Sequence, residues 1–415
     1  MDNIILNDIV INKNIVFYHF KVTGETSSFF RSDTMFFEFP CDVSNIPQSI
    51  LVLPFVASIY SLTWFNNSIL WVPEIDRTFL MSLREVKQSF QEMHYDFQFR
   101  GKIVPSKIID NHIEQSDDAI LLFGGGVDAH CSFIRNKTVI SRIVNVQGWF
   151  ESLDAVDKGA DDDYRHCKLF AESQNIVFLY VRSNFATMIN SSKIDHLYSK
   201  RLRESWWHGF QHSQAFISTA MVLAFKYGVS NIYIASSNTT GDQVACASDV
   251  TTDSMFSFAE NGRVVHDAFE LNRQEKIKII VDYQKKTGKP YPLKVCSFND
   301  HNCCECEKCF RTIIEIVAEN GDVNAFGFDV PTSLKNYYQD VVYRRIGLWG
   351  IGFESKIYWT KTRERMLENY DQIKDKEFVD WFLNFDFVKA HRQGLLRYYR
   401  QNFFSILKRK LNLKK

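Results

Sequence analysis

The 415-residue sequence carries no excess of either charge, 49 basic side chains standing against 49 acidic ones. That balance excludes a surface coated for nucleic acid, although local basic patches remain open to it. The chain also lacks the polar bias of disorder, with 45% apolar and 24% charged residues. No apolar run suits a bilayer. The most apolar stretch, Ile50 to Phe65, contains Pro54, Ser58, Ser61 and Thr63 and falls short of the roughly 20 residues required. The N-terminus has neither the basic start nor the small-residue cleavage site of a signal peptide. A cytoplasmic protein without stable membrane insertion is therefore expected. Internal repeats and low-complexity linkers are missing too. What is present is length for two or three domains of about 100–200 residues each and a ring-rich composition with 36 Phe.

Residues 1–117 are expected to form an α+β domain. Short β-like runs (Ile15–Phe20, Met35–Phe39, Ile69–Val72) are broken by prolines, and the alternation in the first residues suits an edge strand. A helix is predicted over Phe79–Met93, with Leu80, Leu83, Val86 and Phe90 on one face. From Asp118 strands and helices alternate. Ala119–Phe123, Thr138–Val146, Ile176–Val181 and Val229–Ala235 have the character of strands. Helices are expected at Asp128–Ile134, at Tyr164–Ser173 and within Glu204–Tyr227. This pattern predicts an α/β fold with right-handed crossovers and a parallel sheet, binding ligands at the carboxyl ends of its strands. That domain is expected over 118–325, opening a further helix near Asn272 with Glu275 as its capping partner. A helical extension with a basic tail is expected over 326–415.

Two segments carry chemistry. The first, Gly124-Gly125-Gly126-Val127-Asp128-Ala129, lies where a strand should pass into a helix. Glycines there let backbone N–H groups approach a phosphate, and the helix adds its positive end. The Lys-Ser/Thr ending of a Walker loop and the G-x-G-x-x-G spacing are both missing. Asp128 suits a magnesium ion beside a polyphosphate. The plainer alternative is a tight turn with Asp128 as helix N-cap. The second segment crowds five of the nine cysteines. Cys303, Cys306 and Cys309 form C-x-x-C-x-x-C, and Cys296 precedes them across the polar stretch 297–302. In a reducing compartment such crowding indicates metal rather than disulfides. Four thiolates match a structural zinc within segment 296–309, with Cys304 out of phase and His301 superfluous. An iron–sulfur cluster is the alternative occupant.

The glycine segment resembles the pyrophosphate loop S-G-G-x-D-S of the PP-loop ATP pyrophosphatase superfamily. Two positions depart from that pattern: Gly124 and Ala129 stand where the family carries hydroxyls. Joined to the cysteine set and Phe310-Arg311, the loop resembles the 7-cyano-7-deazaguanine synthase branch (queuosine biosynthesis), over roughly residues 118–320. The resemblance implies a nucleotide-binding α-hydrolase-like fold. It also implies Gly124, Gly125, Gly126, Val127 and Asp128 binding ATP and Mg2+, Zn2+ on the four cysteines, and adenylation of a substrate oxygen before C–N bond formation. The implied substrate is small or deazaguanine-like. The additional terminal regions suggest a macromolecular acceptor, protein or nucleic acid, and leave oligomerisation open. Two rivals are a sulfur-transferring PP-loop enzyme, with Cys303 and Cys306 redox-active, and a degenerate ATP-binding scaffold.

Further polar groups admit both functional and structural readings. Arg273 and Lys276 can face a pyrophosphate or carboxylate, or simply a solvated helix face. His266, Asp267 and Glu270 belong to the same constellation. His208 and His212 share one helix face, for substrate contact or packing. Asp161-Asp162-Asp163 is expected as an exposed loop, Cys131 as a buried helix cysteine, and the tail from Leu407 to Lys415 as a frayed basic end.

Overall fold

A computed structural model describes residues 2–148, 153–240, 245–296, 301–331, 333–351 and 353–402. The expected tail Leu407–Lys415, Gly241 and Asp242, residues 297–300 and the side chain of Asp161 lie outside the described residues. The chain divides into two compact units, Met1–Asn272 and Arg273–Lys415.

The first unit is α/β. Its strands are β1 (Asn3–Asn12), β2 (Ile15–Val22), β3 (Thr34–Glu38), β4 (Ile69–Asp76), β5 (Lys102–Ile109), β6 (Ala119–Leu122), β7 (Ile140–Gln147), β8 (Val177–Ser183), β9 (Asn231–Ala235), β10 (Ser257–Phe258) and β11 (Gly262–Asp267). They join in one sheet ordered β10-β11-β9-β6-β7-β8-β3-β2-β1-β4-β5. Pairing is parallel from β11 through β9, β6 and β7 to β8. The chain runs β6, β7, β8 in one direction, then returns to place β9 on the other flank of β6. This reversal opens a crevice at the carboxyl ends of β6 and β9, where doubly wound sheets bind ligands.

Three expectations are corrected here. No boundary follows residue 117: β3 pairs antiparallel with β8 through Phe37–Ser183 and Glu38–Arg182, so the N-terminal strands continue the same sheet. β1 is not an edge strand, for it pairs with β2 on one side and β4 on the other. The edges are the two-residue β10 and β5, whose Pro105 is tolerated because an edge strand has one unpaired flank. The acidic triplet Asp161–Asp163 belongs to the helix Leu153–Gln174 rather than to a loop.

The apolar stretch considered for a membrane forms the helix Leu53–Asn66, with every residue from Leu53 to Phe65 buried. A helix apolar on all sides belongs in a core. It packs against the largely buried helix His212–Tyr227. No helix among the described residues is long and apolar enough to cross a membrane.

The second unit has no strand among its described residues. Its main helices are Arg273–Thr287, Glu307–Ala318, Leu334–Arg345, Phe353–Glu368, Lys376–Asn384 and Phe387–Gln401. The cysteine segment and the expected C-terminal extension therefore fold together, and no boundary falls at 325. Phe310, beside Cys309, explains why: its ring meets Tyr338 at 4.8 Å, Trp349 at 5.0 Å and Phe387 at 5.6 Å.

Candidate functional site

β6 is a short, almost fully buried run, Ala-Ile-Leu-Leu, ending where the glycines begin. Phe123 N donates to Val144 O at 2.8 Å and Asn145 Nδ2 donates to Phe123 O at 3.0 Å, so β7 holds the strand end from the side. The helix Val127–Asn136 then starts, with Gly126 as its N-cap and no side-chain cap. Asp128 is the second helical residue, which corrects the N-cap alternative for it. The amides of Gly124, Gly125, Gly126 and Val127 donate to no carbonyl among the described residues. Such orphan donors and the helix dipole favour an anion.

The three glycines differ. Gly125 has φ +75°, a left-handed conformation that penalises any Cβ. At Gly124 and Gly126 an added Cβ meets nothing within 4 Å. Their small size leaves space rather than relieving strain.

That space is a cavity of about 350 Å³, with Gly124, Gly126 and Asp128 in one wall. Val144–Val146 of β7 and Ile234–Ala235 of β9 supply the sheet edge, and His212, Phe216, Ser237 and Ser248 complete the lining. Its size lies within the range of small-molecule sites. His212 enters through a π-helical turn, Trp207–Gln211, of the kind often found at functional sites. The turn is anchored by Gln211, which accepts from Ser61 Oγ at 2.9 Å and donates to Ala57 O at 3.2 Å on the buried helix Leu53–Asn66. Ala247 N donates to His208 O at 2.8 Å and Ser213 Oγ donates to Ala247 O at 2.7 Å, which fixes the loop carrying Ser248.

The other candidates brace this site or lie outside it. His208 pairs with Glu204 at 3.3 Å and lies 3.8 Å from Cys246, without lining the cavity. His266 Nδ1 meets Asp253 Oδ2 at 2.9 Å in a fully buried pair. Asp267 accepts from Ser132 Oγ at 2.7 Å and pairs with Arg135 at 3.3 Å, and Arg135 also reaches Glu270 at 2.7 Å. These contacts tie the end of β11 to the helix behind the glycine loop. Cys131 is buried in that same helix, as expected.

Arg273 and Lys276 belong to the second unit. The solvated helix face considered for them is not found. Arg273 Nε donates to both oxygens of Glu315, at 3.0 and 3.1 Å, and Nη2 donates to Thr312 Oγ1 at 3.1 Å. Lys276 is 1% exposed. Burial pushes the Glu315 carboxyl above its usual range while the Arg273 and Arg311 charges oppose the shift. Arg273 thus joins the helices Arg273–Thr287 and Glu307–Ala318.

The four sulfurs of Cys296, Cys303, Cys306 and Cys309 lie within 4.8 Å of one another. Tetrahedral zinc with Zn–S bonds of about 2.3 Å brings its sulfurs to about 3.8 Å apart, so this cluster can hold a zinc ion after a small contraction. Cys306 is the N-cap of Glu307–Ala318, and its Sγ accepts from Cys309 N at 3.5 Å. Cys303 Sγ likewise accepts from Cys306 N at 3.3 Å. Hydrogen bonds from the Cys306 and Cys309 thiols hold Cys303 far below the ordinary thiol range. Donating those bonds to Cys303 raises Cys306 and Cys309. Cys304 turns away at φ +58°, and burial pushes its thiol up to about 12, as befits a bystander.

Sequence reasoning missed the residues that clasp this segment. Asn302 Oδ1 accepts from Val295 N at 3.0 Å and Cys296 N at 3.3 Å, while Nδ2 donates to Leu293 O at 2.9 Å. Tyr338 Oη donates to Cys304 O at 3.0 Å and Trp349 Nε1 donates to Glu305 O at 3.0 Å. Ser248, equally missed, has no local signal, because only the cavity brings it near the glycines. Comparison of the chain with protein-family models and with curated proteins returns no match.

Proposed function

We propose that the protein is an ATP-dependent adenylating enzyme of the PP-loop type, in which ATP with Mg2+ activates a substrate oxygen and a nitrogen nucleophile then displaces AMP. The observation that carries this reading is the glycine loop itself. It stands at the strand-order reversal with unengaged amides, and Asp128 lines a ligand-sized cavity beside it. Backbone amides can stabilise charge gathering on pyrophosphate without the two hydroxyls missing at positions 124 and 129. Asp128 would hold the magnesium. The cysteine cluster would hold zinc as a structural ion, since four thiolates leave no coordination position for substrate. Closely grouped sulfurs with amides directed at them favour zinc over the sulfur-transfer alternative. A deazaguanine-like substrate, or a macromolecular acceptor, follows from the sequence resemblance alone.

The test is release of AMP and pyrophosphate from α-labelled ATP with magnesium and lysate of the source cell. Asp128→Ala should abolish turnover. Because Gly126 rather than Asp128 caps the helix, the helix-dipole part of the stability loss should be about 0.3–1 kcal/mol. An Asp128→Ala protein that still turns over ATP contradicts the proposal. Tight ATP binding without AMP across a broad acceptor screen would favour the scaffold.

A further inference from the structure

Two polar side chains in the cavity wall have their hydrogen-bonding polarity fixed from behind. Ser248 Oγ lies 2.8 Å from Asp253 Oδ2. A carboxylate has no proton to give, so the hydroxyl proton points to Asp253 and only lone pairs remain for the cavity. Asp253 is itself held by His266 Nδ1 at 2.9 Å, and neither side chain has any exposure. His212 is set in a similar way. Its Nδ1 lies 3.2 Å from the carbonyl of Trp207, which can only accept, so Nδ1 carries the proton. Burial holds the imidazole pKa down and keeps the ring neutral. Nε2 therefore offers a lone pair, and no hydrogen bond engages it among the described residues.

We propose that Ser248 and His212 form an acceptor-only pair that selects an amino group on the ligand and rejects an oxo group in its place. Resting on the nucleotide reading above, this assigns the pair to the exocyclic amine of adenine and makes oxopurines poor ligands. The selectivity would be set by Asp253 and by the Trp207 carbonyl as positioning groups, since they decide which way each proton points. An oxo group facing two lone pairs finds no donor, and a buried polar mismatch of that kind is strongly penalised.

The experiment compares adenosine with inosine by calorimetric titration of the full chain, with purine riboside as the control. Inosine exchanges the amine for an oxo group and gains a proton at N1, purine riboside lacks the amine with N1 unprotonated, and none carries a phosphate. Adenosine should bind roughly tenfold or more tighter than inosine. Ser248→Ala and His212→Asn should each shrink that ratio to about threefold or less. The asparagine retains an amide N–H for the Trp207 carbonyl and lacks Nε2, so its fold is the less at stake. Asp253→Asn supplies an amide donor that can turn the Ser248 proton outward, and it should raise inosine affinity. Equal binding of the two nucleosides by the wild type, no binding of either at millimolar concentration, or an unchanged ratio in His212→Asn would each overturn the inference. A parallel titration with magnesium and ATP separates the two claims. ATP binding no tighter than adenosine, with the amine preference intact, removes the phosphate loop and leaves the acceptor pair. Tight ATP binding without any amine preference does the reverse.

Discussion

The two units hold themselves together by different means. In Met1–Asn272 one apolar cluster runs from Ile4 on β1 to Val264 on β11, covering both halves of the sheet. Its cavity is an opening between strand ends that are already secured by neighbours. In Arg273–Lys415 the cysteine cluster is partly interior, with Cys296 4% and Cys309 0% exposed and Cys303 and Cys306 half-buried. The ring cluster around Phe310 starts at the next residue. Thiolates gathered in such a place need a cation to offset their desolvation and mutual repulsion. The first unit should therefore fold on apolar burial alone, whereas the second should depend on its metal.

Metal removal gives the largest expected effect and the sharpest break between the units. Structural zinc sites contribute on the order of 10–16 kcal/mol of apparent binding energy, more than a typical domain's whole stability of about 5–15 kcal/mol. Chelation, or Cys306→Ser, should melt the helices of the second unit while the sheet persists. Hydrogen exchange would show amides of 307–318 losing protection and those of β6, β7 and β9 retaining it. Equal loss in both units, or none in either, contradicts the division of labour. Metal analysis of the purified protein should find about one zinc per chain, and iron–sulfur absorbance would reassign the cluster.

Arg273→Met comes next. It removes the guanidinium that donates to both oxygens of the buried Glu315 carboxylate. That group must then bear its charge at a penalty or take up a proton, which should cost up to about 3–5 kcal/mol. The loss should be confined to the second unit, and the double substitution Arg273→Met with Glu315→Leu should recover most of it. Differential scanning calorimetry would separate the outcomes. A loss no larger than that of an exposed pair, about 0–1 kcal/mol, would mean that the Arg273–Glu315 pair does not hold this unit together.

The same contrast explains how much was legible in the sequence. The cysteine spacing could be read directly, because C-x-x-C-x-x-C places its ligands through one local turn and a helix N-cap. The glycine loop was legible for the same reason: an apolar run, three glycines and a helix are contiguous. Strand neighbours were not. Nothing local in Phe37 or Glu38 announces pairing with Ser183 and Arg182, so the N-terminal strands were assigned to a separate domain. β5 escaped notice because its residues lie on an edge and carry only a half-buried pattern, with Lys102, Ser106 and Lys107 exposed. The Leu53–Asn66 helix lacked periodicity because every face is buried. Ser248 comes near the glycines only through the bonds of Ala247 to His208 and Ser213, whereas His212 was readable from its helical spacing to His208. Polar residues recruited from distant segments leave no periodic trace.

The smallest expected effects test whether the glycine loop is a matter of conformation or of space. Gly125, at φ +75°, should resist alanine by about 1–2 kcal/mol, the usual penalty for a left-handed L-residue. Gly124→Ser should change stability by less than about 0.5 kcal/mol, since its Cβ enters open space. The serine also restores the hydroxyl that the resembling loops carry, within a cavity wall that already holds Gly126 and Asp128. If backbone amides and magnesium already satisfy the pyrophosphate, ATP affinity should stay level or fall slightly as the new side chain takes up ligand volume. A large gain in ATP affinity would show instead that the wild-type loop is short of donors, which is the mark of a scaffold that has lost its chemistry. Thermal melts of both variants, read beside ATP titrations, decide between these outcomes, because strain at Gly125 lowers stability whether or not nucleotide is present, whereas crowding at Gly124 appears only when nucleotide binds.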